Sequence, residues 1–92
     1  MEIEKLIAAL EDAIRYLRVS GSSAWASMSV DEMIQALETE LAKCRDSGRY
    51  DAHNLAFLFA PTGPLQEAAI DNGWGEEYLR ISADIDQFTG NQ

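Results

Sequence analysis

Few residues in this chain offer chemistry. Cys44 is its one cysteine and His53 its one histidine, the only soft nucleophile and the only imidazole. A thiol–imidazole dyad needs the two within hydrogen-bond reach, with oxyanion donors beside them. Cys44 falls instead on the apolar stripe of a helix pattern, which predicts a buried and inert thiol. One Cys and one His do not complete a tetrahedral N/S zinc site, and no HExxH pattern occurs. The run Asp71-Asn72-Gly73-Trp74-Gly75-Glu76-Glu77 gathers oxygen ligands around glycines, as a calcium loop does. An EF-hand loop needs acids at alternate positions before its glycine and a glutamate well after it, where this chain has Leu79. The run therefore reads as a helix stop, a corner and the next helix start. Pro61-Thr62-Gly63-Pro64 precedes a helix start, where backbone amides favour anions. It holds one glycine and no following Lys, and Pro64 has no N–H, so it reads as a structural elbow. No catalytic, cofactor-binding or metal-ligating residue is assigned, and the chain is read as not an enzyme.

Two groups of residues remain as candidates for binding. The first is aromatic. Trp25 and Trp74 both fall in connections, where such rings more often close a small core than anchor a partner. Phe57, Pro61, Thr62, Gly63, Trp74 and Tyr78 make up a candidate pocket or motif around the central helix and the turn after it. The second group is acidic. The chain carries 16 acids against 7 bases, a formal net charge of −9. Residues 47–92 hold Asp51, Glu67, Asp71, Glu76, Glu77, Asp84 and Asp86 against Arg49 and Arg80 alone. Asp71, Asp84 and Asp86 fall toward helix C-terminal ends, where negative charge is unfavourable, and one Arg80 cannot balance them all. Asp71, Glu76, Glu77, Asp84 and Asp86 are accordingly the candidate partner surface.

These residues must be positioned by helices. The chain has 13 Ala and 9 Leu but only 2 Val and 3 Thr, a strong bias toward helix. From Glu2 to Arg18, Ile3, Leu6, Ile7, Leu10, Ala13, Ile14 and Leu17 recur in steps of three and four, one stripe of a helix. Ser20 to Ser29 is a Ser- and Gly-rich connection. Ser29-Val30-Asp31-Glu32 reads as a capping box, and the helix it opens places Val30, Met33, Ile34, Leu37, Leu41 and Cys44 on one face. Gly48 stops it. Two stripes of similar length across a short loop predict an antiparallel hairpin. Asp51 caps a third helix, Ala52 to about Ala60. Its segment Leu55 to Ala60 is apolar all round and is expected to lie centrally. Pro64 opens a fourth helix that ends at Gly73, and a fifth runs from about Glu76 to Phe88. The tail from Thr89 is expected to fray. Neither an internal repeat nor a low-complexity tract stands out. The expected architecture is all-α: a single domain over 1–92 of about five helices, with a hairpin over 1–48, three shorter helices over 49–88 and a tail at 89–92.

Leu58-Phe59-Ala60-Pro61-Thr62-Gly63, followed by Asn72-Gly73-Trp74, resembles the LFAPTG-like and NGW-like motifs of a family of small, uncharacterised bacterial proteins. The resemblance covers residues 55–79, about a quarter of the chain. It implies a bacterial, all-helical protein and carries no catalytic residue, cofactor or substrate with it.

Composition narrows function further. The acidity opposes phosphate-backbone binding, which needs clustered Lys and Arg, so no nucleic-acid partner is expected. The longest uninterrupted apolar run, Leu55 to Ala60, is far short of a membrane span, and no charged-then-apolar leader opens the chain. A lone cysteine permits no intrachain disulfide. Together these read as a cytoplasmic protein with neither cofactor nor membrane partner. The favoured function is a non-catalytic protein–protein interaction module, of immunity or inhibitor type against a basic partner. The alternatives are a small-molecule-binding domain with an aromatic pocket and a homodimeric helical scaffold.

Overall fold

The three- and four-residue apolar steps of the first segment produce α1, Glu2–Arg18, in a computed structural model that describes residues 2–21, 28–60 and 63–89. Leu6, Leu10, Ala13, Ile14 and Leu17 are buried along its stripe. The second stripe produces α2, Val30–Ser47. Its capping box forms as the residue types require: the Ser29 hydroxyl accepts the Glu32 N–H at 3.1 Å, and the Ser29 N–H donates to Glu32 Oε1 at 3.0 Å. That hydrogen bonding holds the Glu32 carboxyl below the usual carboxylate range. At the other end Gly48 takes a φ of +69° and donates its N–H to the Cys44 carbonyl at 2.9 Å.

Side-chain pairs fix the directions of the long helices. Arg18 pairs with Glu38 at 2.8 Å and Arg45 with Glu11, so α2 runs antiparallel to α1. The last helix, α5 (Gly75–Thr89), lies along the other side of α1, also antiparallel. Lys5 reaches Asp84 at 3.5 Å, Arg80 reaches Asp12 at 3.8 Å, and the ring of Trp74, just before α5, stacks on Tyr16. α3 (Ala52–Leu58) and α4 (Pro64–Asp71) pack against α5. Leu6, Leu10, Leu17, Met33, Leu37, Leu55, Leu58, Leu65, Ile81 and Ile85 are fully buried, so every helix contributes to one core. The radius of gyration is 12.0 Å, against about 12 Å for a compact chain of this length. The architecture is the all-α bundle with an N-terminal hairpin that the patterning predicts. Among the described residues no helix is long and apolar enough to cross a membrane.

Three details depart from expectation. The third helix stops at Leu58 rather than near Ala60, because Ala60 precedes Pro61 and the pre-proline position disfavours helix. Nor is that helix central on every side: Leu55, Leu58 and Phe59 are buried, but Phe57 is 55% exposed. Thr89 belongs to α5 rather than to a tail, and residues 90–92 lie outside the described residues. The hairpin also carries a short internal correspondence. Glu11, Ile14 and Arg18 of α1 match Glu38, Leu41 and Arg45 of α2 in type and spacing. Because the helices are antiparallel, each glutamate meets the other helix's arginine.

Candidate functional site

The turn between α4 and α5 gathers most of the sequence candidates, and the Asn72-Gly73-Trp74 run builds it. Gly73 has a φ of +82°, a conformation that favours glycine. Its N–H bonds the Ile70 carbonyl at 3.3 Å and the Trp74 N–H bonds the Ala69 carbonyl at 2.9 Å, the paired closure of a Schellman motif. Asn72 bridges outward. Its Oδ1 accepts the Gly21 N–H at 2.9 Å, and its Nδ2 donates to the carbonyls of Ala68 and Gly21 at 2.9 and 3.2 Å. Trp74 points inward and is 5% exposed. Its Nε1 donates to Ser20 Oγ at 2.9 Å, and its ring stacks on Tyr16 with centroids 5.1 Å apart. The run thus pins the α4–α5 turn to the C-terminal end of α1, with the Asn72 side chain bonded to backbone on both sides.

Tyr78 lies one turn inside α5. It stacks on Phe59 with centroids 6.1 Å apart and donates its hydroxyl to the Phe59 carbonyl at 3.1 Å. Burial, with the negative charge of Asp86 adding to it, pushes its phenol up to about 12. Of the aromatic candidate pocket, Trp74 and Tyr78 are therefore packed in the core with their polar atoms engaged, whereas Phe57 faces outward. Gly63 caps α4, and a Cβ there would sit 2.9 Å from the Ala60 carbonyl oxygen and 3.2 Å from that of Phe57. This close backbone approach is what an elbow requires. Pro61, Thr62 and Trp25 lie outside the described residues.

The five candidate acids do not share one face. Glu77 and Asp86 stand half a turn out of phase on α5, on opposite sides of the helix. Asp84 is turned to α1, where Lys5 also donates to Gln87 at 3.2 Å. Asp86 lies on the flank near Tyr78, and burial raises its carboxyl above the usual range. Asp71 and Glu76 are exposed on either side of the α4–α5 turn. Beside them stand two large apolar side chains left in water, Ile70 at 63% and Leu79 at 60% exposure. Both stand near Gly75: a Cβ there would lie 3.7 Å from Ile70 Cγ1, and Leu79 follows Gly75 by one helical turn. Composition could not isolate this pair, since exposed and buried apolar residues count alike in it.

Sequence reasoning also missed Glu40, a carboxylate only 2% exposed. Its Oε1 accepts the Asp51 N–H at 2.8 Å, and its Oε2 accepts from Lys43 Nζ at 2.9 Å and from Asn54 Nδ2 at 3.2 Å. The same pairing raises the Lys43 ammonium above its ordinary range. The signal was present: Glu40 stands between Leu37 and Cys44 at the spacing of the apolar stripe. Besides Lys43 of α2, its partners are the Asp51 backbone and the Asn54 side chain at the start of α3, so it fixes α3 on α2. Cys44 is buried beside it, and burial pushes its thiol up, opposite to what a nucleophile needs. His53 is exposed on α3. No group of three or more His, Cys, Asp or Glu among the described residues is arranged to hold a metal.

A groove of about 300 Å³ runs between α1 and α2, lined by Glu11, Ile14, Arg18, Glu38, Leu41 and Arg45. Ile14 and Leu41 are its apolar lining, and the two reciprocal Glu–Arg pairs lie across it. It presents balanced charge and reads as the outer seam of the hairpin. Comparison with family models, with curated protein sequences and with solved structures finds no match to the chain.

Proposed function

We propose that this chain is a non-catalytic protein-binding module charge-matched to a basic partner. The observation that carries the reading is how its cations are used. Lys5, Arg15, Arg18, Lys43, Arg45 and Arg80 each pair with an acid of the chain itself. That internal pairing leaves the net charge at −9, and Asp71 and Glu76 at the α4–α5 turn are among the exposed acids. Such a field attracts a cationic protein and steers its approach. Immunity and inhibitor proteins directed against basic toxins or nucleases are the functional class that this charge suits.

The test is kinetic. A partner identified by affinity capture and mass spectrometry is purified, and its association rate is measured across ionic strength. The rate is expected to fall steeply between low and physiological salt, as charges screen over about 10 Å at 0.1 M. Replacing Asp71, Glu76 and Glu77 by their amides is expected to lower the rate at low salt and flatten that slope. An association rate indifferent to salt overturns the reading.

A further inference from the structure

Charge explains attraction but not the place where a partner would settle, and the exposed apolar pair offers one. Ile70 and Leu79 flank Gly75, which has no side chain: Ile70 Cγ1 lies 3.7 Å from where a Gly75 Cβ would stand, and Leu79 follows one helical turn later. One turn beyond Leu79 the same face carries Ala83, also exposed. The result is an apolar strip from the end of α4 along the outer side of α5. Asp71 and Glu76 stand next to Ile70 and Gly75 in the chain, and Asp86 follows Leu79 by two turns on the same face. Neighbouring exposed apolar side chains rimmed by charge mark an interaction site more often than scattered ones do.

We infer that this strip is the docking site for a cationic amphipathic helix of a partner protein, its apolar side chains seated over Gly75 between Ile70 and Leu79 and its Lys or Arg residues facing Asp71, Glu76 and Asp86. Charge selects this occupant over the others. A second copy would bring its own −9 against −9, and an anionic lipid surface would be repelled in the same way. A partner helix presents apolar residues spaced by three and four along one face, and Gly75, Leu79 and Ala83 recur at every fourth position along α5. This inference rests on the proposed function and adds to it the apolar anchor and the helical form of the partner.

The probe is a Leu–Lys amphipathic peptide about four turns long, compared with a Gln–Lys peptide of equal charge. Isothermal titration against the full chain is expected to show the Leu–Lys peptide binding more tightly. Ile70→Ser combined with Leu79→Ser is expected to weaken that peptide by about tenfold and leave the Gln–Lys peptide unchanged. Both positions are solvent-facing, and circular dichroism of the double variant checks that the fold is retained. Equal binding of the Leu–Lys peptide to wild type and double variant overturns the inference, as does the absence of binding. In either case a salt-dependent association with a captured partner leaves the proposed function standing. Sedimentation showing a dimer that the double variant abolishes, or retention on phosphatidylglycerol vesicles that the double variant abolishes, also overturns it by assigning the strip to another occupant.

Discussion

Glu40 shows how a single carboxylate can decide where a short helix sits. Its two oxygens receive three donors, one of them the backbone N–H of the residue that caps α3. Removing the side chain leaves those donors without their acceptor at a part-buried junction. Glu40→Ala is therefore expected to cost about 2–3 kcal/mol in urea unfolding. Glu40→Gln keeps the volume but turns an NH2 toward other donors, and is expected to fall between wild type and Ala. Lys43→Met removes only a partly exposed partner and is expected to cost under about 1 kcal/mol. If Lys43→Met proves as damaging as Glu40→Ala, the ion pair and not the α3 junction is what Glu40 serves. Tyr78 supplies a second test at this scale. Its phenol lies near 12 in the fold against an ordinary 10, so the folded state holds the proton more tightly. The stability linked to that proton is fully present below pH 10 and is lost as pH rises from 10 toward 12. Phenolate absorbance at 295 nm should show a late ionisation step near 12 that Tyr78→Phe removes. A titration complete by pH 10.5 would contradict the buried hydroxyl bond to Phe59.

At the scale of elements, the fold was largely legible because its signals are local. The capping box at Ser29, the Pro64 start and the glycines after α2 and α4 are decided within a few residues of themselves. What the sequence concealed is relational. The spacing marks Glu40 as a stripe position but not its partners at the start of α3, and Ile70 is exposed although it directly follows the buried Ala68 and Ala69. The five candidate acids share the acid-rich second half of the sequence, yet helical phase separates Glu77 from Asp86. Asp84 shows the same limit: its partner Lys5 lies at the other end of the chain. The Glu11 and Glu38 correspondence has little contrast in the sequence because two amphipathic helices already share so much pattern. Gly63 tests the account of the elbow. Its φ of −80° is open to any residue, so only space forbids a side chain there. With backbone oxygens 2.9 and 3.2 Å from a Cβ, Gly63→Ala must shift α3 against α4. It is expected to cost about 1–3 kcal/mol, whereas Gly75→Ala, with its nearest neighbour at 3.7 Å, should be neutral or mildly stabilising. Thermal unfolding of the two variants side by side gives the comparison, and equal effects would place the elbow's constraint elsewhere.

For the molecule as a whole, the ion pairs and the acid surplus pull stability in opposite directions as salt is added. The pairs across α1–α2 and α1–α5 are mostly exposed, and each such contact is worth about 0–1 kcal/mol and is weakened by screening. The surplus acts the other way. A net charge of −9 on a body with a 12.0 Å radius of gyration repels itself, and salt relieves that repulsion. Few unlike neighbours offset many like charges, and the screening length falls from about 30 Å at 0.01 M to about 8 Å at 0.15 M, from beyond the molecule's own radius to within it. The melting temperature is therefore expected to rise over that interval and then level off, with sodium chloride as the added salt. Replacing Glu76 and Glu77 by Gln should raise the low-salt value and reduce the rise, because the repulsion that salt relieves has been partly removed. A melting temperature that falls with salt would mean that the cross-helix pairs outweigh the surplus. The same surplus then has two opposite responses to one variable: salt that steadies the free chain slows its meeting with a cationic partner. Stability and association rate measured on one salt series should move in opposite directions, and Glu76→Gln with Glu77→Gln should flatten both slopes together.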